Sequence, residues 1–286
     1  MPRLQPMPGF VTAKEATTML NGSDGMLSRY VKEGRLKRYG PPDRKHKFYK
    51  ISEIEAVIEA RNTFEAEYTS GKWRENATST FDLAQEADMP TIARIGTAIF
   101  RDDRNPTYQP TPIETRLSWM RKNPETYHVL RSQDATLVGY TCILPLRKEI
   151  IDRFIADELK TTDITADEIE MFEPGQSIHL YIMATCVDPV YNTAQKHEYG
   201  ARLVAGVFTF LLDLADRGVE VETISARSYK TDGIRLLKKV GIPQLRSPIP
   251  NKNLFGVNIA ESGIPLLVRY SERLDQWKRK HSGNVV

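Results

Sequence analysis

Cysteine is nearly missing from this sequence. Cys142 and Cys186 are the only two in 286 residues, which excludes a disulfide-stapled domain. Both lie in apolar runs and read as reduced packing residues. Histidine is also scarce, with five in the chain, and no His or Cys spacing matches a metal-ligand pattern. No apolar run approaches the roughly 20 residues that a membrane-spanning helix needs. The opening MPRLQPMPGF has neither an apolar core of signal-peptide length nor a cleavage-like site, so the expectation is a cytoplasmic protein with no membrane partner. Internal repeats and low-complexity segments are absent as well.

The chain does have an uneven distribution of charge. Residues 29 to 50 carry Arg29, Lys32, Arg35, Lys37, Arg38, Arg44, Lys45, Lys47 and Lys50 against Glu33 and Asp43, while the whole chain is only +3. Positive charge gathered into one small region is expected of a polyanion-binding surface. Around it, Thr12-Ala13-Lys14-Glu15 forms a capping box for a short helix through Leu20. Ser23 or Asp24 caps a second helix with Leu27, Tyr30 and Val31 on one face, ended by Gly34. The run RLKRYGPPDRKHKFYK reads as a basic hairpin around Gly40-Pro41-Pro42-Asp43, and Ser52-x-x-Glu55 caps a third helix. Helix, turn, helix, basic wing, helix resembles the winged helix-turn-helix modules of the MerR and excisionase type over residues 9 to 61. That resemblance implies double-stranded DNA as a partner. It puts Ser28, Arg29 and Lys32 toward the major groove and Arg38, Arg44, Lys45 and Lys47 on phosphates.

Length suggests two domains. We expect the helix-turn-helix unit over 1–66, a Ser-, Thr-, Gly- and Asn-bearing linker over 67–79, and a larger domain over 80–286. In the larger domain Phe81-Asp82-Leu83-Ala84 reads as a strand, ADMPTIARIGTAIF as a helix, and Pro112 to Met120 as another. YHVLRSQ and TLVGYTCILPL form an antiparallel hairpin. The acidic stretch from Arg147 to Gly175, with the capping box Thr165-x-x-Glu168, reads as two solvated surface helices or a lid.

The most informative stretch runs from Ser177 to Gly218. SIHLYIMATCV is a buried strand, and Asp188-Pro189 ends it. Tyr199, Leu203, Val207, Leu211 and Leu214 then recur at helical spacing until Gly218. A strand leading through a loop into a helix aims the free N–H groups and positive dipole end of the helix at the loop, a natural phosphate site. Gly200 and Ala201 allow close approach there, with Gln195, Lys196, His197 and Arg202 supplying donors.

The run Gln195-Lys196-His197-Glu198-Tyr199-Gly200-Ala201 resembles the Q/R-x-x-G-x-G/A diphosphate loop of the GCN5-related N-acetyltransferases (GNAT), and its YGA ending is similar to that of the histone-acetylating members. Glu198 stands at the family's first glycine, and about three extra residues precede Gln195. Val219 to Tyr229 and the Asp232-capped GIRLLKKVGI continue the resemblance, which covers residues 80 to 271; Leu237 replaces a Tyr that protonates the leaving thiolate in the family.

The resemblance implies an α/β (α+β) fold, a mixed central sheet flanked by helices. It also implies acetyl-CoA as co-substrate, no metal, and an amine acceptor. Backbone N–H groups of Thr185, Cys186 and Val187 would hold the thioester and pantetheine arm. Gln195, Lys196, His197, Tyr199, Gly200 and Ala201 would hold the diphosphate. Strand alternation puts His179, Tyr181, Met183 and Thr185 on one face and Leu180, Ile182, Ala184 and Cys186 on the other. Tyr181 falls where histone-type members carry a catalytic Glu; His179 has the better intrinsic pKa for a base. Two functions remain open: an N-acetyltransferase with an attached DNA-binding module, or a regulator whose GNAT-like domain only senses acyl-CoA or another effector. Partners are then an acyl-CoA, an amine acceptor, DNA and, in a homodimer, a second copy of the chain.

Overall fold

Apolar alternation and turn residues divide the chain into short elements, and the computed structural model describes residues 7–20, 24–32, 34–41, 47–59, 79–101, 109–247 and 253–281, without the side chains of Met26 and Arg29. The first part holds β1 (Phe10–Thr12), α1 (Ala13–Met19), α2 (Asp24–Lys32), β2 (Phe48–Lys50) and α3 (51–59). Thr12 caps α1 in a full capping box with Glu15. Ala16, Leu20, Leu27, Tyr30, Leu36, Tyr49, Ile54 and Val57 form a small core of their own. Of the expected basic hairpin, residues 42–46 at the turn lie outside the described residues. Among the described residues β2 pairs with β1 and meets the preceding segment through the antiparallel Tyr39–Phe48 bridge. Glu53 of α3 holds that segment by accepting from the Tyr39 hydroxyl at 2.5 Å and the Lys37 N–H at 3.0 Å.

Beyond it come β3 (Ser79–Leu83), α4 (Met89–Phe100), α5 (Ile113–Lys122), β4 (Tyr127–Ser132), β5 (Leu137–Leu146), α6 (Lys148–Ile155) and β6 (Ser177–Val187). Then follow α7 (Thr193–Asp216), β7 (Glu220–Ser228), α8 (Thr231–Val240), β8 (Gln244–Leu245), β9 (Asn253–Asn258) and α9 (Pro265–His281). The strands form one mixed sheet of order β3-β4-β5-β6-β7-β9-β8, in which β6 and β7 are parallel and the other neighbours antiparallel. Helices cover both faces, the mixed α/β architecture expected from the sequence.

On one face Val207, Leu211 and Leu214 of α7 pack with Leu266, Leu267, Tyr270 and Leu274 of α9 against Ile178 and Leu180 of β6. On the other, Met89, Ile92 and Ile95 of α4, Trp119 of α5 and Ile150, Ile151 and Phe154 of α6 pack on Tyr127, Tyr140 and Tyr181. Gly218 ends α7 at φ +79°, and a Cβ there would lie 2.3 Å from the Trp277 indole, so both conformation and space require glycine. The segment from Arg147 to Gly175 departs from the two solvated helices of the sequence reading. It is one helix, α6, followed by single turns of tight helix at 161–163 and 166–168. Leu159, Ile164, Ile169 and Phe172 are buried along it. Asp232 lies inside the first turn of α8, with Lys230 at the N-cap position.

Candidate functional site

The central strand β6 is where the sheet opens. It pairs with β5 along its length, from Leu146↔His179 to Gly139↔Val187, but with β7 only from Ser177↔Glu220 to Ile182↔Ala226. Between Cys142 and Ile143 the register slips, so that Cys142 faces Ala184 while Ile143 faces Ile182. Met183 is therefore an extra residue on β6, a bulge that bends the strand away from β7. Past the bulge β7 pairs with β9 alone, through Arg227↔Leu254 and Ser228↔Asn253. A wedge opens between β6 and β7, widening toward the start of α7.

Backbone parity decides which groups face the wedge. The Asp188 N–H donates to the Val138 carbonyl of β5 at 2.9 Å. Antiparallel pairing alternates, so Cys186 also turns its backbone to β5, while Thr185 and Val187 turn theirs to the wedge. Of the three residues expected to donate, Thr185 and Val187 do face the opening and Cys186 does not. The bulge also breaks the two-residue alternation of side chains. Tyr181 shares its core with Ala184 and Cys186, while Leu180 lies in the core on the opposite face. Burial pushes the Cys142 and Cys186 thiols up to about 12, so both stay protonated packing groups.

The loop after β6 is tied down by Asp188, whose side chain is 4 % exposed. Both its oxygens meet the Arg94 guanidinium of α4, Oδ1 at 3.4 Å from Nη1 and Oδ2 closer to Nη2, and Oδ1 accepts the Val190 N–H at 3.2 Å. Burial alone would raise this carboxyl; Arg94 and the Val190 N–H overcome that and hold it below the usual range. Asn192 then caps α7. It accepts the Gln195 N–H at 3.0 Å, while Gln195 Oε1 accepts the Asn192 N–H at 3.2 Å.

The run from Gln195 to Ala201 is consequently helix rather than loop. Gln195 is spent on the cap, Ala201 is buried in the core, and Lys196 and His197 are exposed. The first-turn N–H groups left for a ligand are those of Thr193 and Ala194. Tyr199 packs edge-on against Tyr191 at 5.1 Å. A Cβ on Gly200 would meet only Val187 Cγ2, at 4.0 Å, so space lies beside the backbone where strand and helix meet. Glu198, the odd carboxylate of this run, is answered by Arg202 at 2.8 Å, which also donates to Ser79 Oγ at 2.7 Å. Arg202 is thus engaged within the fold.

The two candidate bases lie away from the wedge. His179 is buried, with Nδ1 2.9 Å from Thr223 Oγ1 and Nε2 3.5 Å from Glu222. It precedes Thr185 by six residues, roughly 20 Å along a strand. Tyr181 packs on Phe154 with ring centroids 4.4 Å apart, and burial pushes its phenol up, further from the range of a base. In the first part of the chain, Ser28, Lys32 and Arg38 are exposed and Lys47 is half-buried, with its ammonium on the Pro41 carbonyl. Arg44, Lys45 and the Arg29 side chain lie outside the described residues.

Sequence reading missed Arg94, Asn192 and the acidic role of Asp188. The Asn192-x-x-Gln195 capping pattern could have placed the helix start; the Arg94 contact, 94 residues away, left no local sign. Arg94 also lines a cleft of about 550 Å³ with Ala93, Thr97, Ala98 and the 110–113 segment. Among the described residues no cluster of His, Cys, Asp or Glu could hold a metal ion, and no helix is long and apolar enough to cross a membrane.

No protein-family profile matches the chain, and no curated protein matches it in sequence. Solved structures do resemble it, and several of them are named as N-acetyltransferases. The loading GNATL domain of CurA from Lyngbya majuscula is 13 % identical, covering 64 % of this chain and 99 % of that one, with a TM-score of 0.45. An N-acetyltransferase from Staphylococcus aureus Mu50 is 13 % identical over 64 % and 99 %, with a TM-score of 0.41. Arabidopsis thaliana Naa50, in complex with the bisubstrate analogue CoA-Ac-MVNAL, is 14 % identical over 64 % and 99 %, with a TM-score of 0.40.

Proposed function

We propose that the domain from Ser79 onward is an acetyl-CoA-dependent N-acetyltransferase acting on an amine. The observation that carries this reading is the wedge, where the Thr185 and Val187 N–H groups face an opening that leads directly to the start of α7. Acetyl-CoA supplies an acyl thioester. The Thr185 and Val187 amides would hold its carbonyl and pantetheine arm, and oriented N–H donors stabilise the oxyanion that develops there. The Thr193 and Ala194 amides, with the dipole of the long helix α7, would receive the diphosphate, assisted by Lys196 and His197. Gly200 and Tyr199 shape the junction, and Gln195 fixes the cap. The neutral acceptor nitrogen forms a C–N bond with the acyl carbon, the C–S bond breaks, CoA leaves as the thiolate, and the amine proton goes to solvent. Neither His179 nor Tyr181 is assigned as the base, because one is distant and the other deeply buried.

Acetyl-CoA should raise the melting temperature of the full-length protein, and Gly200→Val should remove that shift by filling the space beside Val187. An unchanged shift in the variant would move the ligand elsewhere. A second reading, in which the domain binds acyl-CoA without turnover, is favoured by Glu198 at the family's first glycine and by the apolar burial of Tyr181. Binding without any acetylated product across an amine panel would select it. We further propose that residues 1–66, which hold a separate core and the basic segment, form an attached module that binds duplex DNA through Ser28, Arg29, Lys32, Arg38, Arg44, Lys45 and Lys47.

A further inference from the structure

We infer that the cleft between α4 and residues 110–113 takes a small acceptor with an apolar body and a carboxylate, held by Arg94 over a second, buried cation, Arg116. The amine half of this statement rests on the acetyl-transfer reading; the carboxylate half does not. The walls Ala93, Ala98, Pro110, Pro112 and Ile113 are apolar, which suits an aliphatic body. Arg94 is half exposed in this wall and gives Nη1 and Nη2 to Asp188. Its Nε–H and one further hydrogen on each Nη remain for a ligand. Asp188 neutralises Arg94 from behind without itself reaching the cleft, since it is buried.

Arg116 adds a charge that nothing described cancels. It is 2 % exposed, and its Nε donates at 3.0 Å to the carbonyl of Thr111, itself a wall residue. Its Nη1 is buried with no partner, and among the described residues it makes no ion pair. The groups that face it are Tyr127, Tyr140 and Cys142, all of which burial keeps protonated and neutral. A buried unpaired cation is costly, and a carboxylate in the adjoining cleft would offset that cost.

The test is calorimetric binding of leucine and isoamylamine, which share a body and an amine and differ in the carboxylate, to the full-length protein. Leucine is expected to bind at least about tenfold more tightly, the scale of a hydrogen bond to a charged group. Arg94→Gln should bring the two together. Asp188→Asn, by unmasking Arg94, should tighten leucine severalfold, whereas a merely structural role for Asp188 would weaken it. Equal or stronger binding of isoamylamine, binding of neither probe at millimolar concentration, or weaker leucine binding by a folded Asp188→Asn protein would overturn the inference. The acetyl-CoA melting shift, recorded on the same preparations, separates the two readings. Leucine binding without that shift would sink the transferase and leave the carboxylate site standing.

Discussion

His128 on β4 is a buried imidazole stacked on Phe81 at 5.0 Å and tilted against Phe210 at 4.5 Å, and its Nδ1 has no hydrogen-bond partner. Burial is the main cause of a pKa pushed down to about 4, with Glu125 and Arg217 pulling in opposite directions. The unfolded chain, with an ordinary pKa near 6.5, binds the proton more readily. Stability from this residue is therefore complete above pH 6.5 and is lost as pH falls toward 4, by on the order of 3 kcal/mol. His128→Phe should flatten the stability curve between pH 6.5 and 4 relative to the parent; parallel curves would show that the imidazole ionises freely in the fold. The same stack decides a glycine. A Cβ at Gly206 would lie 2.4 Å from the Phe81 ring, which is pinned on His128. Gly206→Ala should lower the melting temperature, because an overpacking cost of about 1–3 kcal/mol exceeds the gain of about 1 kcal/mol in helix propensity. A higher melting temperature would mean that Phe81 moves aside easily. Neither effect could be read from sequence, since Phe81, His128 and Gly206 meet only through the sheet and α7.

Among the elements, α6 and β6 carry the lessons. α6 is fastened to the sheet by Arg227 of β7, which donates to the Ile155 carbonyl at 2.6 Å, lies 3.5 Å from Asp157 and sits over the Phe154 ring at 4.9 Å. Arg227→Met should cost about 1–3 kcal/mol through the lost charged hydrogen bond and speed hydrogen exchange in α6 before the rest of the sheet. Exchange that speeds everywhere equally would show that α6 is not a separately fastened unit. The sequence marked the acidic stretch around α6 as surface because its charges mask Ile150, Ile151 and Phe154, three apolar positions that share one side of a short helix. In β6 the apolar run placed the strand well, and Gly218 placed the end of α7. The Met183 bulge was invisible, because a strand buried on both faces has no polar positions to betray a slip in alternation. That one residue reversed which face Ala184 and Cys186 occupy, and it opens the wedge.

For the whole molecule, the order of strands and helices from Phe81 to Val240, apart from the 147–175 segment, was legible because each of those segments carries its own period and its own stop. The closing pieces β9 and α9 were not singled out, since they are defined by what they complete: β9 inserts between β7 and β8, and α9 lies on α7. The basic segment makes a prediction at this scale. Full-length protein should bind duplex DNA with an affinity that falls steeply with salt, and replacing Arg44, Lys45 and Lys47 together should flatten the slope by up to about three phosphate contacts. An unchanged slope would assign those charges to another role. The central claim is that the wedge receives acetyl-CoA, and the most direct measurement is residue-resolved amide hydrogen exchange with and without it. Thr185, Val187, Thr193 and Ala194 should become protected on saturation, while Cys186 and Asp188, already bonded to β5, should not change. Saturating acetyl-CoA that leaves those four amides exchanging as before would contradict the account.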